Sequence, residues 1–258
     1  MKRLLTFVLT GLLALGAAMP ALALGPLDVD AELPVLSKYV WRGMNLTNDW
    51  VLQPSLDVGV LGFNFNFWGS MDLSDVNGVG GEFSEYNYKL AYGLGLPLIQ
   101  LAAGFLWYDY PKHERDNTAE FFLSARAGVL LSPALALYQD IDRYKGTYWE
   151  ASISHGFMLG ESTKLDLTGG LGLGSKGFIE GYFAGQSSMP DNDLNASLND
   201  AYLLAEVPFH PIPFFTVAPG VKFTTLLGDS KKAVDGNPDL YSGKKTNVIW
   251  TLAARFNF

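Results

Sequence analysis

Residues 62–72 read Gly-Phe-Asn-Phe-Asn-Phe-Trp-Gly-Ser-Met-Asp, a stretch with a period of two. In an extended chain Phe63, Phe65 and Phe67 fall on one face and Asn64, Asn66, Ser70 and Asp72 on the other. Similar alternation governs 85–94, where Tyr86, Tyr88, Leu90, Tyr92 and Leu94 oppose Glu85, Asn87 and Lys89. In 118–130, Phe121, Leu123 and Ala125 oppose Glu120, Ser124 and Arg126. The end of the chain repeats the pattern, with Val248, Trp250, Leu252, Ala254, Phe256 and Phe258 against Asn247, Thr251, Arg255 and Asn257. Segments of about ten residues, greasy on one face and polar on the other, are the mark of strands that cross a membrane around a polar interior.

Such segments occur at 28–43, 49–60, 62–73, 83–95, 98–110, 117–131, 134–143, 147–158, 163–175, 201–208, 213–226 and 246–258. They predict an all-β fold: a transmembrane, antiparallel, up-and-down β-barrel of 12 strands with both termini on the periplasmic side. Connections expected on that side are tight (Leu61-Gly62, Leu96-Pro97, Ser132-Pro133, Leu159–Ser162, Phe209–Ile212), whereas 74–82, 176–200 and 227–245 are long and polar. Threaded this way, all six Trp fall toward the outer side, as expected of residues that favour a membrane interface.

Composition agrees with that reading. The chain has 17 Phe, 12 Tyr, 6 Trp and 28 Gly with only 17% charged residues, and no stretch after residue 24 has the roughly 18 apolar residues of a membrane helix. A soluble β-sandwich would have to bury that many aromatic side chains in one core. A lipid-facing wall has no such difficulty.

Residues 1–23 have the order of a secretory signal: Lys2 and Arg3, an apolar run from Leu4 to Ala18, and Ala21-Leu22-Ala23 as a small-x-small cleavage site. The expected organisation is a signal peptide at 1–23 and an outer-membrane barrel at 24–258. Loss of Lys2 and Arg3 takes the formal charge from −8 to −10, a balance that argues against a nucleic-acid partner. With no Cys, neither disulfides nor thiolate metal sites are available.

Ser37-Lys38-Tyr39-Val40-Trp41-Arg42-Gly43, Phe105-Leu106-Trp107-Tyr108-Asp109-Tyr110-Pro111 and Asn117-Thr118-Ala119-Glu120 resemble segments of the TorF-type porins, poorly characterised outer-membrane proteins of proteobacteria. The likeness continues more loosely through Tyr138-Gln139-Asp140 and Tyr148-Trp149-Glu150 to about residue 158, and the 176–200 insertion departs from it. The resemblance implies a barrel and a pore. It brings no established substrate or catalytic residue.

Alternation assigns Lys38, Arg42, Asp57, Glu85, Lys89, Glu120, Arg126, Asp140, Glu150, Lys222 and Arg255 to the lumen as pore-lining candidates, with Asp72, Asp142, Lys164, Asp166 and Glu206 beside them. Charges of both signs in one narrow space either set ion and solute selectivity or pair across the lumen and brace it. Arg42, Glu120 and Arg126 are the expected constriction. Trp68, Tyr108, Tyr110 and Tyr148 face inward as well, either to stack on solutes or to pack beneath the loops.

Catalytic and cofactor signatures are weak. His155 has Phe157 rather than Ser two residues on, while His113 and His210 lie in connections, so a lipid-modifying enzyme is a distant alternative. Gly169–Gly174 alternates Gly and Leu without the Gly-Lys-Ser/Thr of a phosphate loop, and Asp235-Gly236-Asn237-Pro238-Asp239 is explained by turn chemistry better than by a metal. The expected function is passive diffusion of small solutes or ions, with a salt-bridge-plugged structural or adhesive barrel as the alternative and no cofactor. Expected partners are outer-membrane lipid and lipopolysaccharide, and barrel-assembly machinery reading the terminal Phe258.

Overall fold

The computed structural model describes residues 27–112, 117–160, 163–184 and 194–258; the expected leader and its cleavage site lie outside them. In chain order the strands are β1 (Asp28–Leu36), β2 (Tyr39–Trp41), β3 (Met44–Thr47), β4 (Val51–Leu52), β5 (Ser55–Val60), β6 (Phe63–Asp72), β7 (Phe83–Leu96) and β8 (Ile99–Asp109). They continue as β9 (Thr118–Ala127), β10 (Ala134–Asp140), β11 (Thr147–Met158), β12 (Lys164–Gly174), β13 (Ser197–Glu206), β14 (Phe209–Ile212), β15 (Phe215–Leu226) and β16 (Thr246–Asn257). Two helices, α1 (Lys176–Phe183) and α2 (Gly228–Gly236), lie between β12 and β13 and between β15 and β16.

Neighbouring strands pair antiparallel around a closed ring. β1 pairs β16 from Asp30↔Asn257 to Leu36↔Thr251 and pairs β5 on its other edge, so the two ends of the chain seal the barrel. β4 and β5 are one crossing interrupted at Gln53-Pro54, where proline has no amide hydrogen for the ladder. The wall thus has 12 strands. Closure leaves no unpaired edge, which a sheet in hydrocarbon requires. At Leu61-Gly62 both residues take positive φ, 52° and 85°, the turn that a two-residue hairpin favours.

Outward side chains form an apolar surface: Phe63, Phe65, Leu90, Leu94, Leu101, Phe105, Ile153, Leu171, Leu203 and Phe223 are all exposed. On a soluble protein such a belt would drive aggregation. Here it is the face turned to lipid. Leu90 sits near the middle of β7 and is 53% exposed, so Leu90→Arg is expected to cost about 2–4 kcal/mol in urea unfolding from lipid vesicles. An unchanged midpoint would mean that this face does not meet hydrocarbon.

Several sequence expectations are corrected. The first wall strand stops at Leu36, not at 43; Tyr39–Thr47 turns inward as the β2–β3 hairpin. Its alternation mimics a wall strand because it too has two unlike faces. The tenth crossing begins at Ser197 rather than 201, β9 ends at Ala127 rather than 131, and β10 ends at Asp140 rather than 143. Trp50, Trp107, Trp149 and Trp250 are exposed on the outer half of the wall as expected, but Trp41 and Trp68 are not interfacial. Trp41 packs edge-on against Tyr108 and Tyr182, and Trp68 against Tyr39.

Candidate functional site

The extracellular half of the lumen is filled. Its core is a buried apolar cluster that includes Met44 of β3, Tyr148 of β11, Phe178, Ile179, Tyr182 and Phe183 of α1, Leu226 of β15 and Val234 of α2. α1 begins where the Ser175 hydroxyl accepts the Phe178 amide at 3.3 Å, a side-chain N-cap, while the same oxygen accepts the Thr147 amide at 2.9 Å. That cap fixes the helix to the rim of β11 and turns its aromatic face inward. The Tyr241 hydroxyl donates to the Tyr182 carbonyl at 2.6 Å, tying the segment after α2 to α1.

The β2–β3 hairpin crosses beneath this cluster. Its turn is Arg42-Gly43, with φ of 46° and 80°, again the left-handed pair of a two-residue hairpin. A Cβ on Gly43 would lie 2.6 Å from Leu226 Cδ2 and 2.8 Å from Asp200 Cβ. Gly43→Ala combines that overlap with a left-handed backbone and is expected to cost about 2–4 kcal/mol, read as a lower urea midpoint for the barrel. Wild-type stability in this variant would show that the tip is not wedged against the wall.

Arg42 reaches the wall opposite β1. Nη1 and Nη2 donate to Glu120 Oε1 and Oε2 of β9 at 2.7 and 2.8 Å, a bidentate pair in which both side chains are almost fully buried. The guanidinium carbon lies 4.4 Å from the Trp41 ring, 4.4 Å from Tyr148, 4.7 Å from Tyr138 and 5.7 Å from Phe178. Burial alone would weaken its hold on the proton, but the Glu120 carboxylate reverses the balance and raises the Arg42 pKa well above its ordinary value. The Tyr108 hydroxyl donates to Glu120 Oε2 at 2.7 Å, completing the carboxylate's coordination.

Other bonds tie the hairpin around its circumference. The Tyr39 hydroxyl donates to Glu85 at 2.9 Å, Thr47 to Asp72 at 3.1 Å, and Asn45 to Asn247 at 2.8 Å. Asn199 donates to the Arg42 carbonyl at 2.8 Å, and the Tyr148 hydroxyl donates to Asp200 at 2.8 Å. Asn199 and Asp200 escape a sequence reading that starts this strand at 201. Extending the alternation from Tyr202 would have placed Asp200 inside, but Asn199 is turned inward beside it only by the bulge between Leu198 and Asp200.

The remaining candidates divide between the two halves. Lys38, at the hairpin base, reaches Asn247 at 3.4 Å. Asp140 accepts the Thr118 hydroxyl at 2.6 Å and the amides of Asp142, Tyr144 and Lys145, so it braces the 141–146 turn rather than the passage. Toward the periplasm, Lys89 faces Asp57 at 3.8 Å, and Arg255 bonds Glu32 and Glu206, each at 2.8 Å. Glu150 accepts the Tyr202 hydroxyl at 3.0 Å, and Lys222 lies 4.7 Å over the Tyr202 ring. Arg126 does not join Arg42 and Glu120. It is six residues farther along β9, about 20 Å away, and exposed to the lumen near the periplasmic end.

His155 packs edge-on against Phe157, and His210 Nδ1 meets the Thr216 hydroxyl at 2.8 Å. In the 235–239 turn, Asp235 pairs with Lys245 and the Asp239 amide donates to Asn237.

The closed wall, the apolar exterior and the charged interior are those of a transmembrane β-barrel with the fold of outer-membrane porins. Among solved structures, the KdgM porin matches with a TM-score of 0.50 at 11% identity, covering 90% of this chain and 99% of that one. The NanC porin matches with a TM-score of 0.49 at 8% identity, covering 90% of this chain and 100% of the other. At 11% identity the likeness to the KdgM porin is one of fold. No family model matches the chain, and no curated protein does.

Proposed function

We propose that this barrel is an outer-membrane channel for passive passage of small solutes or ions, narrowed by the β2–β3 hairpin. The observation that carries the reading is the convergence on Arg42 of every segment that resembles the TorF-type porins. Residues 37–43 supply Arg42 itself, 105–111 supply Tyr108 and 117–120 supply Glu120. The looser matches supply Tyr138 and Tyr148, which cover the guanidinium. A cluster that assembles five separate segments across the extracellular half of the lumen is where a channel would discriminate. Below it the periplasmic half stays polar and hollow.

The filled extracellular half favours a second reading, a structural barrel with a permanent plug. Single-channel recording of the refolded barrel in planar bilayers, at two salt concentrations and with a reversal potential, separates the two. Small discrete steps are expected. Silence from a demonstrably folded barrel would leave the structural reading.

A further inference from the structure

Below the hairpin the lumen wall has a recess of about 580 Å³ between β7 and β11. Strand register explains it. Gly93, Ala102, Ser124 and Ala136 form one cross-strand row on the inner face, with Gly95 and Ala134 in the next row, and these small residues leave the space that larger side chains would fill. Two charged side chains share the lining of this recess: Arg126, paired with Ala134, and Glu150, paired with Ala136.

Arg126 is unlike the other arginines that face the lumen. Arg42 holds Glu120, and Arg255 holds Glu32 and Glu206. Among the described residues, Arg126 reaches the Ser132 carbonyl and the Ser154 hydroxyl, both neutral oxygens and each at 3.4 Å. A guanidinium has five donors in a planar fork, so most of its bonding capacity faces the recess. Gln100 and Ser124 flank it with further polar groups. Glu150 accepts the Tyr202 hydroxyl on Oε1, one bond of the several that a carboxylate can accept. Two strand spacings and two residues separate Arg126 from Glu150, about 12 Å between Cα atoms, which both side chains shorten as they extend inward.

We propose that this recess is a binding subsite for small monocarboxylates that carry a hydrogen-bond donor at the opposite end, of amino-acid or hydroxy-acid size. Arg126 takes the carboxylate as a bidentate pair, and Glu150 accepts from the ammonium or hydroxyl. Glu150 also repels a second carboxylate, so dicarboxylates are disfavoured. The subsite supplies the solute class for the channel reading and rests on it only for its transport role.

Saturation-transfer NMR on the refolded barrel in detergent, at fixed ionic strength, tests binding without requiring conduction. Glycolate and glycine should give saturable signals and displace each other, with succinate binding several-fold more weakly. Arg126→Gln should weaken glycolate binding by at least about tenfold, Arg126→Lys should lose less, and Glu150→Gln should improve succinate relative to glycolate. Each variant is checked for folding by circular dichroism, and both positions lie in open lumen, where truncation leaves no core cavity. Absence of saturable glycolate binding, equal binding by Arg126→Gln, or succinate binding as well as glycolate overturns the proposal. A barrel that conducts without saturable binding refutes the subsite alone, whereas one that binds glycolate yet passes no current refutes the channel and leaves the subsite.

Discussion

Glu120→Ala is expected to destabilise the barrel by about 3–5 kcal/mol, while replacing both Arg42 and Glu120 with Met costs far less. The asymmetry follows from burial. Both side chains of the pair are almost fully enclosed, so removing the carboxylate strands a guanidinium among Trp41, Tyr138, Tyr148 and Phe178 with no anion and little water. The rings compensate in part, since each faces the cation with its electron-rich side. They cannot supply the two short bonds that Glu120 makes. Replacing both partners removes the charge and leaves apolar groups of comparable size against an aromatic lining. Urea unfolding of the two variants in lipid vesicles, followed by tryptophan fluorescence, measures the difference. Trypsin adds an independent readout: the bond after Arg42 should be protected in the wild-type barrel and cut in Glu120→Ala. Equal costs for the single and double variants would mean that the pair is solvated and does not latch the hairpin.

The wall of this barrel could be read from its sequence because lipid and lumen impose opposite chemistry on alternate residues, and the alternation breaks only locally, as at the bulges that turn Ser84 and Glu85 of β7 and Asn199 and Asp200 of β13 inward together. The interior could not be read so directly. Tyr39, Trp41 and Asn45 alternate with Val40, Arg42 and Met44 much as wall residues do, so periodicity alone does not separate a strand in the wall from a hairpin lying across the lumen. The left-handed Arg42-Gly43 pair was the available signal, since a glycine in the second position of a two-residue turn favours reversal. Parity did put Arg42 and Glu120 inside. Their meeting depends on the hairpin crossing the diameter, which is a property of tertiary structure. Arg126 shows the reverse case: it shares the inward face of β9 with Glu120, yet strand rise carries it to the other end of the lumen.

Replacing residues 38–47 with a short Gly-Ser linker is expected to raise the single-channel conductance several-fold and to shift the reversal potential toward cation preference. The wall should tolerate the change, because β1 joins its neighbours through Val35↔Leu52 and Leu36↔Val51 without help from the hairpin. What the hairpin now occupies becomes aqueous. Four wall groups each lose one partner together: Asp72 loses Thr47, Glu85 loses Tyr39, Glu120 loses Arg42, and Asn247 loses Asn45. Three of these four are carboxylates, and the only fixed cations removed are Lys38 and Arg42. The narrow zone therefore changes from a neutralised pair within an aromatic cage to a ring of acidic groups, which attracts cations and repels anions. The helices respond as well, because Trp41 is one of the rings against which Tyr182 of α1 packs. A folded deletion variant with the wild-type conductance would assign the closure to α1 and α2, and Tyr182→Ala in the same background would then be the variant that opens the passage.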